Sequence, residues 1–405
     1  MPQASLNQTE RLLVGIETVY PSLELLLKRL KGQPVLRLYY GIDPTSPVLH
    51  LGHTVPLRLL KRFQEAGHHV ILLIGDFTAT VGDPSGRDSQ RSVLSRAEVE
   101  ANVVALKQQL FTVLDPVRTE LRYNSEWYDD PAVMGSVRKL LELTHSFTAA
   151  QLWERDMFQR RQQQQQPVSL TEFFYPVLQA YDSVALDVDI EVGGTDQTFN
   201  MLAGRTLMRQ MNQKEKFVIT LPLILGTDGR KMSKSYGNTI GVNDEPNDMF
   251  GKLMSITDDQ MLPYMTHLTD RFQTAGDEQQ EFAAMITQRP RAAKALLARE
   301  VVGLYHGTVA ATEAERVFDA QFRDHAQPEN LLETTLERVT DYIDLLVQIG
   351  AASSRSEAKQ LIDQGGLTSA GDRIDDGNAP VTYQPSTPFV VKVGKRRFYK
   401  VVITE

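Results

Sequence analysis

Three rhythms of apolar and polar residues run along this chain, and each predicts a different kind of element. Residues 35–42 (VLRLYYGI) alternate and end at glycine, the pattern of a strand. Residues 50–66 set Leu51, Val55, Leu59, Leu60 and Phe63 along one helical face. Val70–Ile74 is unbroken apolar sequence, as expected of a parallel strand covered on both sides. Together they make a βαβ unit, with the right-handed crossover that such units almost always have. The arrangement returns as a strand over Ala185–Val192, a helix over Asp196–Met211 and a strand over Phe217–Leu225. The spacing predicts an α/β fold, a doubly wound domain over residues 1–235 with a mainly helical insertion at about 97–165. The insertion ends in the low-complexity tract Gln162–Gln166, to which no function is assigned. Residues 236–328 read as helices only, and His325–Asn330 breaks their pattern. A linker is expected over 329–342, then a small α+β module over 343–405. Its helix, Ser356–Gln364, has Ser354 or Ser356 as cap and stops at Gly365-Gly366. Its last strands are Phe389–Val393 and Phe398–Ile403.

Composition narrows the class. The 405 residues contain no cysteine, which excludes disulfides and thiolate metal sites and fits a reducing compartment. No apolar run reaches the length of a membrane span, and the first 30 residues are too polar for a signal peptide. A cytoplasmic protein that binds no membrane is expected. The net charge of −8 argues at first against nucleic acid, but residues 392–400 carry five positive charges and no negative ones. Alone, that stretch reads equally as a solvated edge strand.

Candidate chemistry gathers where strands give way to helices. In residues 39–53 (YYGIDPTSPVLHLGH), His50 and His53 share one face of a helix's first turn. Gly52 between them permits close approach to the backbone. A helix N-terminus attracts phosphate, and two imidazoles there can donate hydrogen bonds to a phosphate gaining charge. By itself His-x-x-His also fits a surface pair or half a metal site. Some 180 residues later, Lys231-Met-Ser-Lys-Ser235 follows the third apolar strand. Two lysines on such a loop suit a triphosphate whose leaving part must move, although most lysine-serine loops are only solvated.

The two motifs together resemble those of the class I aminoacyl-tRNA synthetases, and the resemblance covers nearly the whole chain. It implies a Rossmann-like catalytic domain, ATP as substrate with Mg2+ and no metal site of the protein's own. Thr45, His50, His53, Lys231 and Lys234 would then stabilise the transition state. Gly41, Asp43, Gly52, Gly194, Asp196, Met232 and Ser233 would line the ATP site beside them. Arg87 and Arg91 would meet pyrophosphate.

The amino acid is suggested by a third segment, Thr171–Asp182. Tyr175, Gln179 and Asp182 stand at helical spacing among apolar residues, with Pro176 expected to start or kink the helix. A solvated face of a half-buried helix is the plainer reading. Position by position, however, the stripe is similar to the tyrosyl branch of the family. That likeness implies that Tyr39 and Asp182 hold a phenolic hydroxyl, that Asp83, Tyr175 and Gln179 hold the α-ammonium, and that Gln197 lies by the carboxylate. Phenylalanine would leave Tyr39 and Asp182 unsatisfied. Many members carry cysteine at Tyr40, glutamine at Glu191 and Trp-Gly-Asn in place of Thr198-Phe199-Asn200. The chain therefore resembles the second bacterial subgroup and departs from the others near the adenosine contacts.

Residues 343–374 resemble the S-four RNA-binding module. This implies that Arg355, Lys359, Lys395, Arg396 and Arg397 meet tRNA phosphates, while the preceding helices read the anticodon region. The expected partners are L-tyrosine, ATP, tRNA(Tyr) and a second copy of the chain in a homodimer. Three rivals stay open: a tryptophan enzyme, opposed by Asp182; a nucleotidyltransferase without tRNA, opposed by the lysine loop; and an RNA-binding protein that has lost catalysis, opposed by the intact histidines and lysines.

Overall fold

The alternating segment and the apolar run become neighbouring parallel strands, β2 (Arg37–Ile42) and β3 (His69–Ile74), in the computed structural model. The structure describes residues 8–32, 35–85, 94–273, 277–322, 333–394 and 397–404. The helix Leu51–Glu65 crosses between the two strands and buries Leu51, Val55, Leu59, Leu60 and Phe63, the face expected from the spacing. β5 (Ile190–Gly194) lies parallel to β2 on its other side, and β6 (Phe217–Leu221) lies parallel to β5. Two edge strands complete the order β1-β6-β5-β2-β3-β4: β1 (Thr18–Tyr20), antiparallel, and β4 (Thr119–Tyr123), parallel. The winding reverses between β5 and β2, and open α/β sheets bind ligands at the carboxyl ends of strands at such a junction.

The differences from the pattern have local causes. β4 falls inside the segment read as a helical insertion. Its Glu120 and Arg122 pair with each other at 3.1 Å, and Glu120 meets His69 at 2.5 Å, so a charged sequence serves as an edge strand. Ala185 and Leu186 close a helix, Leu170–Leu186, instead of opening a strand. Asp187, at φ 46°, ends that helix, and β5 begins only at Ile190. A buried helix end and a buried strand look alike in apolar content. Ser169 and Glu172 cap the same helix reciprocally, so it passes through Pro176 rather than starting there.

The first compact unit spans residues 1–315 and includes the helices Pro246–Ser255, Met261–Leu268 and Glu278–Gln288. Arg58, buried on the 51–65 helix, reaches Asp270 at 2.5 Å, which ties these helices to the sheet. The segment Pro290–Phe322 is helical on both sides of Gly307, whose φ of 83° breaks it.

The second unit, residues 316–405, holds a five-stranded sheet in the order β7-β11-β10-β8-β9. These are β7 (Glu333–Leu336), β8 (Leu367–Ser369), β9 (Asp372–Arg373), β10 (Phe389–Val393) and β11 (Arg397–Ile403). The helices Tyr342–Gln348 and Arg355–Asp363 bury Leu345, Leu346, Ala358 and Ile362 against Leu367, Val391, Val401 and Ile403. β7 lies in the stretch read as a linker and pairs with β11, so the basic C-terminal strand is internal rather than an edge. His325–Asn330 lies outside the described residues. Among the described residues, no helix is long and apolar enough to cross a membrane.

Candidate active site

After β2 the chain turns through residues 43–49 and enters the helix with His50 as its N-cap, in extended backbone (φ −115°, ψ 167°). The turn is pinned by Leu51 N to Ile240 O at 2.9 Å and Val242 N to Leu49 O at 3.0 Å. Gln109 braces it too, accepting from Leu49 N at 2.8 Å and donating to Pro47 O at 2.7 Å. His50 N donates to His53 Nδ1 at 3.2 Å, which leaves the His53 proton on Nε2. The two rings stand 3.8 Å apart. Burial, then His53 and the loop lysines, lowers the His50 pKa to about 2. Burial and Lys234 lower that of His53 to about 4. Both imidazoles are therefore neutral donors at pH 7, and the buried His50 Nδ1 has no partner among the described residues. Gly52 seats the His50 ring, whose atoms lie 3.1 Å from where a Cβ would stand.

The lysine loop comes back to this turn. Asn238, almost fully buried, accepts from Ser233 N at 2.8 Å and donates to Lys231 O at 3.1 Å and Asp228 Oδ1 at 2.7 Å. Met232 is buried as an anchor. Lys234 Nζ meets Ser46 Oγ, and burial lowers its pKa. Lys231 Nζ pairs with Asp196 Oδ2 at 2.7 Å. Thr45, half-buried, donates its N–H to Asp43 O at 2.8 Å, and Gly41 is exposed. The fold thus unites the two motifs and the turn after β5, where Gly194 permits Asp196 Oδ1 to lie 2.7 Å from the place of a Cβ.

The polar stripe on the 170–186 helix faces the same sheet end. Asp182 is 3% exposed. Its Oδ1 accepts from Trp127 Nε1 and Tyr128 Oη, both at 3.0 Å, while among the described residues Oδ2 meets only Asn124 Nδ2, at 3.5 Å. Burial pushes its carboxyl up, against these donors. Tyr39 Oη shares a hydrogen bond with Ser183 Oγ at 2.9 Å. Tyr175 Oη and Thr78 Oγ1 both donate to Asp43, at 2.8 Å each. Asn124 Nδ2 donates to Thr78 Oγ1 at 2.9 Å, so one polar chain runs from Asp182 through Asn124, Thr78 and Asp43 to Tyr175. Asp83 accepts from Gln197 Nε2 at 2.8 Å and Ser85 N at 2.9 Å. Gln179 donates to Glu191 at 3.1 Å and accepts from Asn200 Nδ2 at 3.0 Å.

Several of these partners escaped the sequence reading. Asn124, Trp127 and Tyr128 follow β4 in the segment read as an insertion, and their signal was a cluster of side-chain donors after a strand. Arg155 donates to Ser85 Oγ at 2.8 Å and covers the Phe199 ring at 4.9 Å. Glu191 within β5 and Lys216 immediately before β6 betray themselves as lone opposite charges beside apolar residues of two adjacent strands. Arg87, Arg91, Lys395 and Arg396 lie outside the described residues. In the second unit, Ser354 caps the 355–363 helix, Lys359 is exposed, and Arg355 reaches Asp341 at 3.2 Å while mostly exposed. Arg397 Nη1 donates to Ala351 O at 2.7 Å. Among the described residues, no group of three His, Asp or Glu could hold a metal ion.

Two neutral imidazole donors and two lysines gather at a helix N-terminus, an arrangement able to meet a phosphate, and the buried Asp182 carboxyl has one oxygen with spare acceptor capacity. Residues 31–323 match the family of class I tRNA synthetases (W and Y), and residues 343–383 match the S4 domain. A tyrosine–tRNA ligase of Thermotoga maritima is 45% identical over 379 residues, 93% of each chain. One from Oleidesulfovibrio alaskensis is 43% identical over 400 residues, 98% of this chain and 99% of the relative. A crystal structure of tyrosyl-tRNA synthetase from Archaeoglobus fulgidus, complexed with L-tyrosine, superposes with a TM-score of 0.61 at 22% identity, covering 76% of this chain and all of that one. A truncated mitochondrial tyrosyl-tRNA synthetase of Coccidioides posadasii also gives 0.61, at 24% identity, covering 76% of this chain and 90% of that one. The chain belongs to the class I tRNA synthetases, and within them to the tyrosine–tRNA ligase family.

Proposed function

We infer that this chain activates L-tyrosine with Mg·ATP and transfers the tyrosyl group to the 3′ end of tRNA(Tyr). The observation that carries the reading is Asp182. Its Oδ1 accepts from Trp127 and shares the Tyr128 proton with Leu178 O, while Oδ2 keeps room for a phenolic O–H, and the polar chain through Asp43 ties it to the motif end of the site. Tyr39 would complete the phenol contact, and Asp83, Tyr175 and Gln179 would hold the ammonium, with Gln197 beside the carboxylate. Gly41, Asp43, Gly52, Gly194, Asp196, Met232 and Ser233 would line the adenylate. Lys231 already pairs with Asp196, so it must exchange this partner when phosphate binds.

The substrate carboxylate is ionised at neutral pH, so its attack on the α-phosphate needs no general base. One carboxylate oxygen forms the bond to phosphorus in line, the bond to the bridging oxygen breaks, and pyrophosphate leaves. What remains for the protein is positioning and charge stabilisation. Neutral His50 and His53 donate hydrogen bonds, and Lys231 and Lys234 supply positive charge, with Thr45 beside them. Arg87 and Arg91 would receive the pyrophosphate. A 3′-terminal ribose hydroxyl then attacks the adenylate carbonyl carbon, and AMP departs. Arg355, Lys359, Lys395, Arg396 and Arg397 would meet tRNA phosphates, and the helices within 236–328 would approach the anticodon region. The active species is a cytoplasmic homodimer.

Incubation with labelled tyrosine, ATP, magnesium and tRNA(Tyr) tests the reading. Acid-precipitable label that depends on ATP and on this tRNA is expected. Adenylate formation without charging would contradict the transfer step.

A further inference from the structure

A second buried network, behind the side chains assigned to the substrate, touches both ends of the amino-acid pocket. Lys216 Nζ is fully buried, and it contacts Glu191 Oε2 and donates to Ser183 Oγ at 2.8 Å. Ser183 Oγ donates to Glu191 Oε2 at 3.3 Å and shares a hydrogen bond of 2.9 Å with Tyr39 Oη, in which either hydroxyl can be the donor. The other carboxylate oxygen, Glu191 Oε1, accepts from Gln179 Nε2 at 3.1 Å.

The fold builds this network from three directions. Tyr39 and Glu191 are register partners on β2 and β5, so their side chains leave the same face of the sheet. Glu191 also partners Val218 on β6, and Lys216, two residues earlier, points to that face as well. Gln179 and Ser183 stand four apart on the helix that covers it. Gly204, on the adjoining helix, closes the cluster: a Cβ there would lie 2.4 Å from Lys216 Nζ and 2.8 Å from Ser183 Oγ. Burying an ion pair this deeply is costly unless each remaining proton and lone pair has a use.

We propose that Lys216, Glu191 and Ser183 act as positioning residues that fix the hydrogen-bonding sense of Gln179 at the ammonium end of the pocket and of Tyr39 at the phenol end. The inference rests on the tyrosine-activating function proposed above. A carboxylate can only accept, so Glu191 compels Gln179 to present its amide nitrogen inward and its Oε1 outward. An ammonium group needs that acceptor. At the other end Lys216, which can only donate, occupies a lone pair of Ser183, and the one serine proton stands between Glu191 Oε2 at 3.3 Å and Tyr39 Oη at 2.9 Å, where the shorter separation favours Tyr39. Tyr39 can then direct its own proton to the substrate's phenol oxygen, while Asp182 takes the phenol proton. The chain of donors starts from a buried cation, so each bond polarises the next.

Ser183→Ala tests the phenol arm. It leaves the direct Lys216–Glu191 and Glu191–Gln179 contacts in place and removes the hydroxyl that joins Lys216 and Glu191 to Tyr39. Tyrosine-dependent exchange of pyrophosphate into ATP is expected to lose about tenfold in kcat/KM, through KM. Exchange with phenylalanine, which has no phenol to receive the bond, is expected to stay within twofold. Glu191→Gln tests the ammonium arm, because its amide lets Gln179 turn over, and it should lower kcat/KM for both amino acids alike. If Ser183→Ala does not fold, Ser183→Cys, with a weak donor and similar volume, is expected to show a smaller shift with the same tyrosine selectivity. Loss of both amino acids by one factor in the serine variants would reduce Ser183 to a packing role and overturn the proposal, as would wild-type behaviour in either folded serine variant. Absence of tyrosine exchange in the wild-type protein would instead overturn the function on which it rests.

Discussion

Replacing Asp182 with asparagine separates recognition from stability. The change keeps the shape of the side chain. Its carbonyl can still accept from Trp127 and Tyr128, now both at 3.0 Å from Asp182 Oδ1, so neither donor is orphaned. What changes is the other arm, where an acceptor that among the described residues meets only Asn124, at 3.5 Å, becomes an NH2 donor facing the place of the phenol. A hydrogen bond to a charged acceptor contributes about 1.5–3 kcal/mol and a neutral one about 1 kcal/mol, and here the polarity is reversed as well. A loss of about 2–3 kcal/mol follows, or roughly 30- to 150-fold in kcat/KM for tyrosine. Phenylalanine, which cannot use the carboxylate, should lose nothing. Burial pushes the Asp182 carboxyl up, which means that the folded protein disfavours the charge. The amide removes that cost, so the melting temperature should hold or rise. Pyrophosphate exchange with both amino acids and a thermal melt of each protein supply the readings. A folded variant whose tyrosine kcat/KM stays within threefold of wild type would refute the reasoning, as would an equal loss with phenylalanine.

Other consequences follow from the same geometry. Lys234→Ala removes a charge from the phosphate end without touching the amino-acid pocket, so activation should slow by about 10²–10³ while tyrosine affinity, measured by equilibrium dialysis, changes less than twofold. Equal losses in both would remove Lys234 from the transition state. Gly204→Ala should destabilise by about 1–3 kcal/mol in urea melts, because its Cβ would meet Lys216 and Ser183, although alanine ordinarily improves a helix over glycine. A stabilised variant would mean that the buried network is looser than the distances imply. His50 and His53 have folded pKa values of about 2 and about 4, below the 6.5 of an unfolded histidine. Between pH 6.5 and 4 the unfolded chain therefore binds protons that the folded one refuses, and stability falls as the solution is acidified through that window. Each histidine contributes up to about 2 kcal/mol of this loss at pH 5. Melting curves from pH 7 to 5 should show a shallower loss for His53→Asn than for wild type, and parallel curves would argue against a buried neutral pair.

The doubly wound core was legible because its periodicities are strong. Val70–Ile74 permits nothing but a buried strand or helix, and the neighbouring glycines and helical stretch decide for the strand. The meeting of the histidine turn and the lysine loop was legible for a different reason: each alone has plainer readings, but the two together, some 180 residues apart, resemble one family's pair of motifs. What stayed hidden depends on contacts far apart in sequence. Trp127 and Tyr128 reach Asp182 across 55 and 54 residues, and the donor cluster they form with Asn124 does not by itself name that partner. Ser183 looks like any small residue of a helix until Lys216, 33 residues later, is placed against it. β7 was read as linker because four residues of Glu-Thr-Thr-Leu gain their strand character only from β11 beside them.

The most direct test of the central claim is amino-acid-dependent exchange of labelled pyrophosphate into ATP, with tyrosine, phenylalanine and tryptophan compared over a range of concentrations. Exchange with tyrosine far above the other two is predicted, because only its hydroxyl satisfies both Tyr39 and Asp182. Exchange led by another amino acid would show that Asp182 does not face the substrate. No exchange at all from folded protein with magnesium present would contradict the catalytic reading of His50, His53, Lys231 and Lys234.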